Sequence, residues 1–180
     1  MPDPRQSDTL ITVRRATGPD AALLSELAAR LFSDTYASAN DPNDMREYLA
    51  RNFTPETQDA ELRDPSRSIW IAEAAGVPIG YAVLKRGTTA DGIRAKQPAE
   101  VQRIYVDRKW HGAGVAARLL ETCVEHALAW GSDAIWLGVW ENNPRAIAFY
   151  RKHGFRDVGR QTFILGRDVQ HDLVMLRALD

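Results

Sequence analysis

Residues 103–120, RIYVDRKWHGAGVAARLL, read as a strand, a short turn holding two glycines, and the start of a helix. Gly112 and Gly114 let backbone N–H groups approach a ligand with no Cβ in the way. The helix that follows offers N–H groups without intrahelical acceptors and the positive end of its dipole. Together these features make an anion site suited to phosphate. A lone Gly-x-Gly turn is equally an ordinary link between a strand and a helix. The spacing matches neither G-x-x-x-x-G-K-[ST] nor a G-x-G-x-x-G that opens an N-terminal βαβ unit.

Just upstream, residues 99–107 alternate as a strand. Regular pleating puts Glu100, Gln102, Ile104 and Val106 on one face and Val101, Arg103 and Tyr105 on the other. Downstream, Val115, Leu119, Cys123, Ala127 and Trp130 keep the 3.6-residue period, and Gly131 stops the helix. AIWLGVW (134–140) is a continuous apolar run, as in a strand covered on both faces. Asn143 followed by Pro144 opens another helix that ends at Gly154. Residues 154–179 read as a closing pair of strands.

Toward the N-terminus, residues 68–87 form a hairpin that turns at Gly76, followed by a polar loop at 88–98. LITVRRA (10–16) alternates as a half-buried strand, with Thr17 as a helix cap behind it. Leu23, Leu24, Leu27 and Leu31 recur at helical spacing. A short helix is expected around 45–53, and a turn of helix followed by loop in TPETQDAELRDPS (54–66). Residues 1–9 are too polar to bury and read as a frayed tail, which leaves one mixed α/β domain at 10–180.

Composition agrees with a globular domain. The 180 residues are 44% hydrophobic and 26% charged, and a chain of this length can bury about 70% of its unfolded surface. The 23 basic and 24 acidic residues nearly cancel, so the electrostatic footprint of a general nucleic-acid binder is missing. No apolar run approaches the roughly 20 residues of a membrane span. The start carries no signal-peptide pattern, and the single cysteine, Cys123, allows no internal disulfide. A cytoplasmic protein without membrane or nucleic-acid partners is the expectation. Cys123 lies on an apolar stripe and reads as core. The four histidines lack metal-ligand spacing, so no metal is expected.

HGAGVA (111–116) resembles the acetyl-coenzyme A loop of the GNAT superfamily of N-acetyltransferases: Arg or Gln, two residues, Gly, one residue, then Gly or Ala. His111 departs from the first position, which implies altered affinity rather than lost binding. VWENNPRAIAFYRKHGF (139–155) is similar to a later motif of the same superfamily. Asn143, Ala146, Tyr150, Gly154 and Phe155 fall in the matching places. The resemblance implies a GNAT fold: a mixed, mostly antiparallel sheet of about seven strands with flanking helices and one splayed parallel pair, 99–107 beside 134–140. It also implies acetyl-coenzyme A as co-substrate, held by His111, Gly112, Ala113, Gly114, Val115, Ala116 and Asn143. Tyr105 and Val106 would offer backbone to the pantetheine arm, and Tyr150 would point at the thioester sulfur. A narrower resemblance, to bacterial spermine/spermidine acetyltransferases, implies a small polyamine or amino compound as acceptor.

Acetyl transfer to an amine needs a base, an oxyanion donor and a proton for the departing thiolate. Glu100 is the candidate base, or else the anchor of the ammonium. An N–H near Val106 is the candidate oxyanion donor, and Tyr150 the proton donor. Tyr36, Glu141 and Asp34 are candidates for the acceptor pocket, with Trp140 and Trp110 shaping the cleft. Each has a plainer reading: Glu100 as a strand carboxylate paired with an arginine, Tyr150 as a core tyrosine, Asn143 as a helix cap, and the pocket carboxylates as solvated surface. Protein N-termini, lysines or aminoacyl-tRNA are rival acceptors, and a non-catalytic acyl-coenzyme A sensor is the rival class. Exposed edges among the C-terminal strands would suit a homodimer.

Overall fold

The computed structural model describes residues 10–179, so the expected tail at 1–9 lies outside the described residues. Seven strands make one sheet: β1 (Ile11–Arg15), β2 (Arg67–Ala74), β3 (Val77–Arg86), β4 (Pro98–Val106), β5 (Ala134–Trp140), β6 (Arg156–Leu165) and β7 (Asp168–Ala178). Their spatial order is β1-β2-β3-β4-β5-β7-β6. Every neighbouring pair is antiparallel except β4 and β5. The five helices are α1 (Ala21–Tyr36), α2 (Pro42–Asn52), α3 (Pro55–Arg63), α4 (Val115–Ala129) and α5 (Pro144–Lys152).

Two layers of helix follow from where the apolar stripes fall. The stripe of α4 (Leu119, Leu120, Cys123, Ala127) and Ile147 and Tyr150 of α5 pack with Ala82, Leu84, Val101, Ile135 and Leu137 on one face of the sheet. On the other face, Leu24, Leu27, Leu31 and Phe32 of α1 join Ile69, Ile71, Tyr81 and Val83. Below β5 and β7, that second face is closed by the 87–97 loop, whose Ala90, Ile93 and Ala95 cover Trp136, Val174 and Leu176. The loop crosses β6 with its backbone almost against the strand: a Cβ on Gly92 would collide with the Val158 carbonyl, and one on Gly159 with the Asp91 carbonyl.

The hairpin at Gly76 and the α4 stop at Gly131 form where the sequence places them. Residues 54–66 differ. They hold a full nine-residue helix, because Thr54 accepts a hydrogen bond from the Thr57 N–H, Pro55 occupies the first turn, and Glu61 clamps Arg103 through two 2.7 Å bonds. A helix this short is marginal alone and depends on that tertiary contact.

One irregularity governs the site. Val101 pairs with Leu84 and Arg103 with Val83, so Gln102 is an extra residue in β4 without a partner. This is a β-bulge, and it advances the pleat by one residue. Glu100 therefore shares a face with Arg103 and Tyr105, opposite the face of Ile104 and Val106. The regular alternation expected from the sequence fails at Gln102.

Candidate active site

The parallel strands β4 and β5 pair only through Pro98–Ala134, Ala99–Ile135 and Glu100–Trp136. Beyond those positions β4 continues to Val106 and β5 to Trp140 without pairing, so a wedge opens between them. The Asp107 N–H donates to the Ile79 carbonyl on β3 at 2.8 Å. Successive residues of a strand direct their polar groups to alternate sides. The Val106 N–H and C=O thus point into the wedge, where no neighbouring strand receives them.

At the mouth of the wedge lies the glycine turn. Gly112 (φ +87°) and Gly114 (φ +81°) are left-handed, and nothing lies within 4 Å of where their Cβ atoms would be. The backbone there is open to a ligand, above the first turn of α4 with its N–H groups free of intrahelical acceptors. Val115 is buried and anchors the helix start in the core, with Ala113 packed beside it.

His111 points back at the strand: its Nε2 donates to the Val106 carbonyl at 2.9 Å, and Arg145 approaches its ring. Partial burial and the neighbouring cations Arg145 and Arg108 depress the imidazole pKa, while the Val106 bond opposes them. A neutral ring with hydrogen on Nε2 donates to Val106 and leaves Nδ1 to accept from Arg145.

The helix α5 forms the other lip. The Asn143 side chain accepts from the Ala146 N–H at 3.1 Å and so caps α5, which also carries Arg145 in its first turn. Tyr150, one and a half turns on, is 9% exposed and packs between Phe149 and Phe155. Burial raises the phenol pKa, and the Cys123 and Tyr36 side chains add to that. Both plainer readings describe what is seen: Asn143 is a cap and Tyr150 is largely core.

On the opposite face a cavity of about 250 Å³ adjoins the wedge. Half of the residues in its wall are aromatic, among them Phe32, Tyr36, Tyr48, Tyr105, Trp140 and Phe163, and the other half are mostly polar. Tyr36 lies 5.7 Å from the Trp140 ring, and the Tyr105 hydroxyl donates to its oxygen at 3.4 Å. Two carboxylates enter this wall, Glu100 from β4 and Asp172 from β7. Burial raises the Glu100 pKa against the pull of the nearby Thr88 and Gln102 side chains and of the Lys85 and Arg67 cations. The bulged Gln102 reaches Glu100 at 3.5 Å and receives Arg67 at 3.1 Å. Asp172 is raised by burial too, with the Gln161 amide opposing. Arg103, also in the wall, is neutralised by Glu61.

The bulge thus moves Glu100 off the face of Ile104 and Val106 and into this cavity. Tyr36 and Trp140 line that cavity as expected. Glu141 does not: it is half-exposed and paired with Arg160 at 2.7 Å. Asp34 and Trp110 also lie outside the lining, and Trp110 packs against the coenzyme-side core. Asp172, Gln170 and Arg145 went unnoticed in the sequence. A signal existed for Arg145, since a cation in the first turn of a helix opposes the helix dipole and asks for another reason to be there.

Comparison with known proteins completes the picture. The acetyltransferase (GNAT) family model matches residues 26–155. An uncharacterized N-acetyltransferase of Mycobacterium bovis is 36% identical over 160 residues, 89% of this chain and 98% of that protein. The N-alpha-acetyltransferase RimI of Mycobacterium tuberculosis is 30% identical over 83% of this chain and 80% of its own. A spermine/spermidine N(1)-acetyltransferase of Bacillus subtilis is 30% identical over only 64 residues, 35% of this chain and 42% of that protein. In three dimensions, PaiA N-acetyltransferase from Thermoplasma acidophilum, solved with coenzyme A, superposes with a TM-score of 0.76 at 20% identity, covering 94% of this chain and 99% of its own. A seven-stranded sheet opened between β4 and β5 is thus the architecture of an acyl-transfer scaffold, and the chain belongs to the GNAT acetyltransferase family, as an N-acetyltransferase. No helix among the described residues is long and apolar enough to cross a membrane.

Proposed function

We propose that the protein moves the acetyl group of acetyl-coenzyme A directly onto the amine of a small cationic amino compound, a polyamine in the first instance. The observation that carries this reading is the aromatic cavity with two half-buried carboxylates beside the opened strands. Aromatic faces and carboxylates attract alkylammonium groups and offer little to anionic or neutral acceptors.

The residues present fit the coenzyme. The N–H groups of Gly112, Gly114, Val115 and Ala116, with Asn143 and the neighbouring His111 and Arg145, suit a pyrophosphate, while the Ala113 N–H is already given to the Trp110 carbonyl at 3.2 Å and shapes the turn. The Tyr105–Val106 edge suits the amides of a pantetheine arm. When bound, the coenzyme supplies an activated acetyl thioester. The protein's own groups do the rest. The Val106 N–H is aimed into the wedge, where it can receive a developing oxyanion, a contribution of a few kcal/mol when preorganised.

Glu100 must take a proton from an ammonium. Ordinary values for the two groups differ by roughly 6 pKa units, about 8 kcal/mol. Burial of Glu100 narrows that gap without closing it, so Glu100 accepts the proton through water and holds the positive charge meanwhile. Tyr150 donates to the departing thiolate. A phenol raised by burial is a weaker acid, but a thiolate in the same environment is a stronger base. The buried Cys123 thiol in the same cluster is raised by desolvation in the same direction.

Two measurements test the reading. Acetyl-coenzyme A and coenzyme A, each 100-fold above its Kd, should add about 2.7 kcal/mol of stability, while ATP adds none. Thiol release with an amine panel should then favour polyamines. Failure of coenzyme stabilisation at millimolar concentration overturns the cofactor assignment. Acetylation of peptide N-termini instead of small amines, as the similarity to RimI would favour, overturns the acceptor assignment.

A further inference from the structure

The far wall of the cavity holds a feature that the transfer reaction leaves unused. Gln170 on β7 is 6% exposed and lines the cavity. Its amide nitrogen donates to Asn40 Oδ1 and to Asp168 Oδ2, both at 2.8 Å. A carboxylate accepts only, so the amide's orientation is fixed with Oε1 as the remaining atom. That Oε1 is buried and has no hydrogen-bond partner. Buried acceptors left in this state are rare and ask for a donor.

Two residues further along the same face of β7 stands Asp172, roughly 7 Å away along the strand. Gln161, its cross-strand partner, holds it with a side-chain hydrogen bond. Gly138 on β5 makes the room: a Cβ there would collide with Gln161 Nε2 and come within 3.1 Å of Asp172 Oδ2. Phe163 pairs with Gln170 across β6 and β7, and its ring lies 5.9 Å from Tyr48. An oxygen short of a donor, a carboxylate and aromatic faces therefore converge on one wall.

We propose that Gln170 Oε1 and the Asp172 carboxylate form a second ammonium subsite, so that the acceptor is a diamine or longer polyamine held at both ends. An alkylammonium carries three donors and one charge, enough to satisfy both oxygens at once. Glu100 lies level with Trp136 and Asp172 with Trp140, which separates the carboxylates by roughly 13 Å along the strand direction. A molecule with one ammonium cannot serve both. This inference rests on the amine-acetyltransferase reading for its substrate class and adds the residues that select within it.

The test is calorimetric titration of the full chain saturated with coenzyme A, using 1,8-diaminooctane, whose ends are far enough apart to reach both carboxylates, spermidine and butylamine. Wild type should bind the diamine at least tenfold more tightly than butylamine, and Asp172→Asn should reduce that ratio to about twofold or less. Gly138→Ala keeps every charge but crowds Gln161 and Asp172, and should lower the same ratio. Stabilisation by coenzyme A reports folding in each variant; if Asp172→Asn fails that check, the Gly138→Ala ratio decides. A wild type without diamine preference, or variants that retain it, overturns the subsite. Acetyl transfer to both amines without discrimination leaves the acetyltransferase reading standing and removes only this inference. Diamine preference that disappears in the variants, with no transfer to any amine, does the reverse.

Discussion

The two faces of the opened strand pair are built in opposite ways. The coenzyme side is local: one glycine turn, the helix behind it and one further helix supply nearly every group, within residues 105–150. The acceptor side draws its wall from α1, α2, β4, β5, β6 and β7, one or a few residues from each, so that no single stretch of chain contains it. The first kind of site is written along the chain; the second exists only after the sheet has formed. The contrast explains why one fold can keep its coenzyme and change its acceptor.

The largest effect should come from β4, where the two sides meet. Deleting Gln102 leaves Glu100, Arg103 and Tyr105 at alternate positions and so on one face, but it removes the bend and added twist that the bulge gives β4 where it leaves β5. Acetyl transfer should fall below detection, and circular dichroism will show whether the sheet survives. Turnover retained within tenfold would break the link between the bulge and the site.

Next comes Glu100→Gln, expected to lower kcat by about 10²–10³ with coenzyme binding intact. Its pH dependence has a definite sign. Burial raises the folded carboxyl above its unfolded value, so the protonated form is favoured by folding and the ionised form costs stability. Glu100→Gln should therefore raise the melting temperature at neutral pH, and the gain should vanish as pH falls below the unfolded pKa. Wild-type turnover should rise with pH through a midpoint above the usual carboxylate range. A stability gain that grows toward acid would contradict the burial argument.

Tyr150→Phe removes a proton donor from the coenzyme side and should reduce kcat about tenfold to a hundredfold, with an unchanged coenzyme Kd. Rates equal to wild type would return Tyr150 to the core. The smallest effect belongs to Gly114→Ala. No atom obstructs the new methyl group, so only the left-handed backbone is strained, at about 1–2 kcal/mol. A melting shift of a few degrees and a modestly weaker coenzyme Kd are expected.

Legibility in the sequence followed the same division. The Gly112–Gly114 turn, the Asn143 cap and Tyr150 could be read because each sits at a fixed offset from its neighbours. The splayed parallel pair, 99–107 beside 134–140, also followed from the family resemblance. Glu100 was identified as a site residue for the wrong geometric reason: alternation holds only until Gln102, and nothing in AEVQRIYV marks an inserted residue. Glu141 looked like a pocket carboxylate, yet Arg160 across the sheet claims it. Asp172 and Gln170 sit in a strand whose outward pattern reads as ordinary solvated polarity, and only the position of β7 between β5 and β6 turns them inward.

The crossing of the 87–97 loop over β6 has a consequence for mutational additivity. Gly92 and Gly159 each meet the backbone opposite the other, so a methyl group on either pushes the same two chain segments apart. Once one alanine has separated them, the second finds space already made. The double variant should therefore cost less than the sum of the two single ones, a coupling between residues 67 positions apart in the chain. Neither glycine is free to drift alone, although a lineage that had lost one would tolerate the loss of the other.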